Sequence, residues 1–301
     1  NRMVGNIGRR CIAAPGMTGN HTIPNISLRA GDTSVEMPQL GFGVWQVEDD
    51  QAADAVREAI KVGYRSIDTA KVYENEAGTG AAIASADVPR RDIFLTTKVW
   101  NDDQGADSTK KAFDASIERL GGESILPLDL YLIHWPTPEK DTYVDTFKAM
   151  LELRDAGKIR AVGVCNFEPE HLQRLKDETG EFPAINQVEL HPKFQQKAVR
   201  DFCADNGIVV EAWSPLGQGG DILTNPVLEG IAERVGKTVA QVIIRWHLQI
   251  GNVVIPKSVT PARIAENFDV FGFTLSDDEV ARISAIEGKR IGPDPAVFNL
   301  H

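Results

Sequence analysis

The sequence predicts one closed (β/α)8 barrel, a TIM barrel, preceded by a small N-terminal β-hairpin. From about residue 23 onward, short apolar segments alternate with longer stretches of helical periodicity. Eight strand candidates fall in one run with no domain linker, and this repetition favours a mostly parallel sheet closed on itself. The competing open, doubly wound sheet calls for a GxGxxG turn after its first strand. Gly41-Phe42-Gly43 and Gly78-Thr79-Gly80 are poor substitutes for that turn.

Residues 23–28 and 34–38 flank Ala30-Gly31-Asp32 and read as the hairpin. Residues 40–45 are the first barrel strand. Residues 51–63 place Val56, Ala59 and Ile60 at helical spacing, with Gly63 as the stop. Short extended segments follow at 65–69 and 93–97, then a helix at 107–120 and a strand at 130–134. A helix at 143–156 leads to a strand at 161–164, and a helix at 169–179 to a strand at 184–188. The helix at 195–206 ends at Gly207 before the strand at 208–213. Helices at 226–235 and 238–249 precede the last strand, 253–256, and a terminal helix covers 276–287.

The 301 residues carry a formal net charge of -11 with no Lys/Arg block, which argues against a nucleic-acid partner. No apolar run is long enough for a spanning helix, so no membrane partner is expected. Cys11, Cys165 and Cys203 are scattered without CxxC or metal-like spacing, and the histidines show no zinc grouping. No metal is expected, and the sparse cysteines fit a reducing, cytoplasmic setting. Residues 1–22 read as an extension and 23–301 as the barrel domain, with Met17 as the expected natural start.

The chemistry-bearing signal is the polar residue at each strand exit. Asp68 ends SID, Lys98 ends FLTTK and His134 ends LYLIH; Tyr73 lies five residues after Asp68. In a barrel all strand exits meet at one mouth, so these four residues come together. Carbonyl reduction needs a hydride donor and an acid for the developing alkoxide. Tyr73 could be that acid, Lys98 could lower its pKa, Asp68 could hold the ammonium, and His134 could orient the carbonyl. Three of them also have an ordinary reading: Asp68 as a cap or surface residue, Tyr73 as packing or surface, His134 as a satisfied core residue; Lys98 after an apolar strand is less ordinary.

Asn166 and Gln187 offer both amide donors and acceptors, suited to a carboxamide on a ring that Trp213 could cover. Strand capping and core packing are the plain alternatives. Lys257, Ser258, Val259 and Thr260 follow the last strand, with Arg263 at the start of the next helix. Two cations and two hydroxyls there suit a phosphate. Glu266 and Asn267, one turn on, could meet an adenine edge or face water.

These segments resemble the aldo-keto reductase family over about residues 23–298, and within it the bacterial 2,5-diketo-D-gluconate reductases. GYRSIDTAKVYENEAGTG, LTTKVWN and LYLIHWP carry the family spacing through Asp68, Tyr73, Lys98 and His134. The resemblance implies NADPH as cofactor, direct hydride transfer, Tyr73 as general acid and a monomer. It also implies a nicotinamide clamp of Asn166, Gln187 and Cys165, the last standing where the family usually has serine. Trp213 would stack on the nicotinamide, and Ser214, Leu216, Gly217 and Gln218 would form the pyrophosphate loop. IPKSVTPARIAENF would bind the 2′-phosphate and adenine through Lys257, Ser258, Val259, Thr260, Arg263, Glu266 and Asn267. Thr260 stands where many bacterial relatives have Arg.

Trp45, Trp100, Asn101, His134 and Trp135 are expected to line the substrate pocket, which would take a small carbonyl compound such as diketogluconate or methylglyoxal. The tail GPDPAVFNLH is short, which suggests an open mouth. Two other readings stand beside the reductase: a Schiff-base lyase or isomerase using Lys98, and a non-catalytic NADPH-binding redox sensor.

Overall fold

A computed structural model describes residues 22–301. Met17, Cys11 and nearly all of the expected extension lie outside the described residues.

Two strands, β1 (Asn25–Ala30) and β2 (Thr33–Pro38), pair antiparallel through a turn at Gly31 and Asp32. Leu28, Val35 and Met37 form the buried face of this hairpin. They pack with Phe94, Leu130, Ala161, Ile185 and Val253 from the barrel strands, so the hairpin caps the barrel with apolar side chains.

Eight parallel strands follow: β3 (Phe42–Gly43), β4 (Ser66–Asp68), β5 (Phe94–Val99), β6 (Leu128–Ile133), β7 (Ile159–Cys165), β8 (Ile185–Glu189), β9 (Val209–Trp213) and β10 (Val253–Val254). They hydrogen-bond in sequence order. Closure comes from Leu40 bridging Val254 and Gly43 bridging Lys257, with the Gly41 amide 2.9 Å from the Val254 carbonyl. Every residue of β5 and β6 is buried, as a sheet covered on both faces requires. The expected strands at 40–45 and 253–256 are shorter here, because they are the two that meet at the closure.

Among the described residues ten α-helices accompany the sheet: α1 (Asp49–Val62), α2 (Glu76–Ala84), α3 (Ala106–Leu120), α4 (Tyr143–Asp155), α5 (Pro169–Thr179), α6 (Lys197–Asp205), α7 (Pro226–Val235), α8 (Val239–Gln249), α9 (Pro261–Phe268) and α10 (Asp277–Ser284). Reciprocal capping boxes start α8 (Thr238 with Gln241) and α10 (Ser276 with Glu279), each cap contributing about 1 kcal/mol. The terminal helix is shorter than the expected 276–287. The main core lies between sheet and helices, with Phe42, Tyr64, Phe113, Phe147 and Trp246 fully buried. Burying one such side chain contributes about 1.5–3 kcal/mol.

Periodicity leaves α2 unassigned, because it has no apolar stripe and contains two glycines. Both glycines serve close packing. A Cβ on Gly78 would sit 2.1 Å from the Asp49 carbonyl oxygen, and one on Gly80 would sit 2.1 Å from that of Leu120. Gly78-Thr79-Gly80 is thus a helix-packing surface, consistent with its weakness as a dinucleotide turn.

Candidate active site

Asp68 ends β4, Lys98 lies near the end of β5, and His134 directly follows β6, so adjacent strands deliver all three to one end of the barrel. Tyr73 sits on a short 3-10 turn, Lys71–Tyr73, just past β4. Asn75 fixes that loop: its amide donates to the Val44 and Val47 carbonyls, both at 2.9 Å, while the Thr69 hydroxyl donates to its oxygen. All four expected catalytic residues are brought together.

Lys98 is fully buried. Its ammonium donates to Asp68 Oδ1 at 2.6 Å, to the Thr69 carbonyl at 3.0 Å and to the Tyr73 hydroxyl at 3.2 Å. Burial disfavours its charge, but Asp68 and then Tyr73 outweigh that, so its pKa lies above the ordinary lysine value. An ammonium held this way is not a nucleophile at neutral pH, which removes the basis for a Schiff base at Lys98.

Tyr73 departs from the expectation that Lys98 would lower its pKa. Desolvation is the larger effect, and although Lys98 pulls the pKa down, the net result is a phenol pushed up to about 12. Tyr73 therefore keeps its proton at neutral pH and has it available to give. His134 stands edge-on to Tyr73 at 5.7 Å and to Trp100 at 5.2 Å between ring centroids. Burial, with the Lys98 charge adding to it, holds its pKa well below the usual imidazole range. A neutral His134 can donate a hydrogen bond to a carbonyl without competing as an acid.

Further round the mouth, Asn166 follows β7 in a left-handed conformation, φ 63°. Its amide nitrogen donates to the His134 carbonyl at 3.0 Å, and its oxygen accepts from the Trp213 indole at 2.8 Å. One side chain thus fixes both the His134 backbone and the plane of Trp213. Gln187 donates to Asp68 Oδ2 at 2.9 Å, and its oxygen lies 3.9 Å from Cys165 Sγ. It ties β8 to the Asp68–Lys98 pair, a contact the sequence did not reveal. Burial raises the Cys165 thiol well above its ordinary pKa, so it packs as an inert group.

The loop after Trp213 turns through Ser214, Gly217 and Gln218, all with positive φ. Leu216 lies between them, half-buried against the core. Beneath the loop, His247 is neutral, its pKa lowered to about 3 by burial. Its Nδ1 faces the Asn252 amide and its Nε2 faces the Pro215 carbonyl at 3.3 Å.

Past β10, Lys257, Val259, Thr260 and Arg263 are exposed, while Ser258 is buried and accepts from the Thr260 amide. Among the described residues neither Lys257 nor Arg263 has a carboxylate within ion-pair distance, and Thr260 is the N-cap of α9. Glu266 is half-buried and Asn267 buried on the same helix.

The expected substrate residues divide. Trp45 is 39% exposed, and Trp100 faces His134. Asn101 and Trp135 are engaged by the C-terminal tail instead. The Asn101 amide donates to the Leu300 carbonyl at 2.7 Å, and Trp135 packs on Phe298 at 4.3 Å between ring centroids. The start of the tail is held by Glu189, whose carboxylate accepts from the Ile291 and Gly292 amides and lies 3.1 Å from His191 Nε2. A Cβ on Gly292 would come within 2.6 Å of the Trp213 ring, so the tail passes directly against that indole. The tail is short, but it spans the mouth from Trp213 to Trp135. Sequence reasoning missed Glu189; its one signal was a carboxylate at the C-terminal end of β8.

Among the described residues no group of His, Cys, Asp or Glu side chains could hold a metal ion, and no helix is long and apolar enough to cross a membrane.

A profile described as the aldo/keto reductase family matches residues 39–287. An aldo-keto reductase of Mycolicibacterium smegmatis is 58% identical over 277 residues, covering 92% of this chain and 98% of that protein. The methylglyoxal reductase DkgA of Escherichia coli is 51% identical over 264 residues, covering 87% and 94%. A crystal structure of a Gox0644 mutant in complex with NADPH matches with a TM-score of 0.84 at 48% identity, covering 91% of this chain and 98% of that one.

Proposed function

The chain belongs to the aldo/keto reductase family, and on that premise we propose that it reduces a small dicarbonyl, methylglyoxal foremost, to the hydroxy compound with NADPH. The observation that carries this reading is the buried Lys98 ammonium held between Asp68 Oδ1 and the Tyr73 hydroxyl.

The residues present fit the cofactor. Among the described residues Lys257 and Arg263 lack carboxylate partners near the start of α9 although the chain is strongly acidic, which suits a 2′-phosphate. The left-handed turn through Ser214, Gly217 and Gln218 suits a pyrophosphate, as such turns aim successive backbone N–H groups at an anion. Trp213, fixed in its plane by Asn166, suits a flat ring. When bound, NADPH supplies the hydride.

This chain's own residues do the rest. His134, neutral, donates a hydrogen bond that orients the substrate carbonyl. Tyr73 protonates the oxygen as negative charge develops on it. Lys98 then stabilises the phenolate left on Tyr73 and is itself neutralised by Asp68. Trp100 against His134 and the tail's Phe298 against Trp135 put aromatic walls beside the strand exits, which suits a small substrate. The resemblance to 2,5-diketo-D-gluconate reductases makes that bulkier dicarbonyl the second candidate.

Steady-state NADPH oxidation with each substrate tests the proposal. The expected result is turnover with both and the higher kcat/KM for methylglyoxal. Absence of turnover with any small aldehyde or dicarbonyl would overturn the reductase reading and favour the redox sensor.

The cofactor assignment gives a separate prediction. Lys257→Ala and Arg263→Ala should each raise KM for NADPH by about tenfold, the loss expected for one charge-assisted hydrogen bond. KM for NADH, which has no 2′-phosphate, should stay within about twofold. Equal losses with both cofactors would show that these cations do not read that phosphate.

A further inference from the structure

Inside the barrel a second carboxyl group faces the Asp68–Lys98 pair, and the mechanism above does not use it. Glu211 is the middle residue of β9, fully buried on a strand otherwise built of Val209, Val210, Ala212 and Trp213. Neither of its oxygens meets hydrogen-bond geometry, although its neighbour Gln187 stands close enough to lower its pKa. A buried polar group left in this state calls for a role. Its register partners are Gln187 on β8 and Val253 on β10, the latter carrying no charge. The titratable groups acting on it across the barrel are Asp68 on β4, Lys98 on β5 and Cys165 on β7. Gln187 adds a physical link, since its amide donates to Asp68 Oδ2.

We infer that Glu211 is a positioning residue for the reduction: its charge state, acting on the Asp68–Lys98 pair, sets how readily Tyr73 gives up its proton. This rests on the reading of Tyr73 as the acid. Burial first, and then the Asp68 charge, push the Glu211 carboxyl up to about 8, with Gln187 and Lys98 opposing part of the rise. Below that pH Glu211 is neutral and Lys98 is balanced by Asp68 alone. Above it, a second negative charge stands in the same dry interior. That charge raises the Tyr73 pKa further, and a phenol with a higher pKa is a weaker donor. Reduction therefore slows as pH rises through about 8.

The same ionisation affects stability, with a definite sign. The folded-state pKa lies above the ordinary carboxyl value of 4.5, so the stability Glu211 confers is present below that value and is lost as pH rises toward about 8.

Two measurements on the wild type and Glu211→Gln test the inference. In the wild type, kcat for methylglyoxal should fall about two- to tenfold across a step centred near pH 8, and Glu211→Gln should be flat across it. In the cofactor-free protein, infrared spectroscopy should show a protonated-carboxyl C=O band at neutral pH that titrates away near pH 8 and is absent from Glu211→Gln. An identical pH step in both proteins, or no such band in the wild type, would overturn the inference. The band needs neither substrate nor cofactor, and the wild type alone suffices if the variant does not fold. Loss of the band sinks only the role of Glu211, whereas absence of NADPH turnover in the wild type sinks the reductase reading.

Discussion

Tyr73→Phe should lower kcat for NADPH-dependent carbonyl reduction by about 10²- to 10⁴-fold, the range expected when a positioned acid is removed. The substitution deletes one oxygen and leaves the ring where it stands against His134 and beneath the Lys98 ammonium. The hydroxyl accepts one hydrogen bond, from Lys98, and that ammonium retains Asp68 and the Thr69 carbonyl as acceptors. Folding should therefore be nearly unchanged, and NADPH binding, followed by quenching of tryptophan fluorescence, should be retained. A variant that binds NADPH and turns over at the wild-type rate would remove Tyr73 from the acid role and leave His134 to be tested in its place.

Lys98→Met should affect both activity and stability. The side chain fits the same volume, but it takes the ammonium from a site where Asp68 is 2% exposed. Removing one partner of a buried ion pair typically costs about 3–5 kcal/mol, because the other charge remains buried and uncompensated. Asp68 would keep one donor, Gln187. Urea unfolding should show a lower midpoint with an unchanged slope. The reaction loses the charge that stabilises the Tyr73 phenolate, so kcat should fall about 10²-fold or more. Lys98→Arg would preserve the charge, but its planar fork cannot reproduce three acceptors around a single nitrogen, and it should recover little activity. A Lys98→Met protein as stable and as active as the wild type would contradict the electrostatic account.

The meeting of Asp68, Tyr73, Lys98 and His134 was legible in the sequence because the barrel converts chain position into place. Asp68, Lys98 and His134 each stand at the C-terminal end of a short strand candidate, and strand exits converge whatever the separation along the chain. The hairpin and most helices were legible for a similar reason, since turn residues and apolar spacing act locally. What escaped is long-range or inverted in pattern. Helix α2 has glycines where an apolar stripe would stand, because its contacts are with the backbones at Asp49 and Leu120. Glu211 is a single carboxylate in the otherwise apolar strand β9, and the charged groups that act on it come from strands far away in the chain. Asn101 and Trp135 read as pocket lining, whereas a tail 199 residues away from Asn101 occupies the Asn101 amide. The Tyr73 pKa moved opposite to expectation for a related reason: the sequence shows that Lys98 is near, but not how completely water is removed.

The most direct test of direct hydride transfer is to follow the hydrogen itself. Methylglyoxal and the protein would be incubated with NADPH carrying deuterium on the transferring face of the nicotinamide, and the product analysed by mass spectrometry. The account predicts one deuterium on the new carbinol carbon per NADPH oxidised, and no borohydride-trapped adduct at Lys98. An unlabelled alcohol, or a product formed without NADPH consumption through a trapped Lys98 adduct, would contradict it.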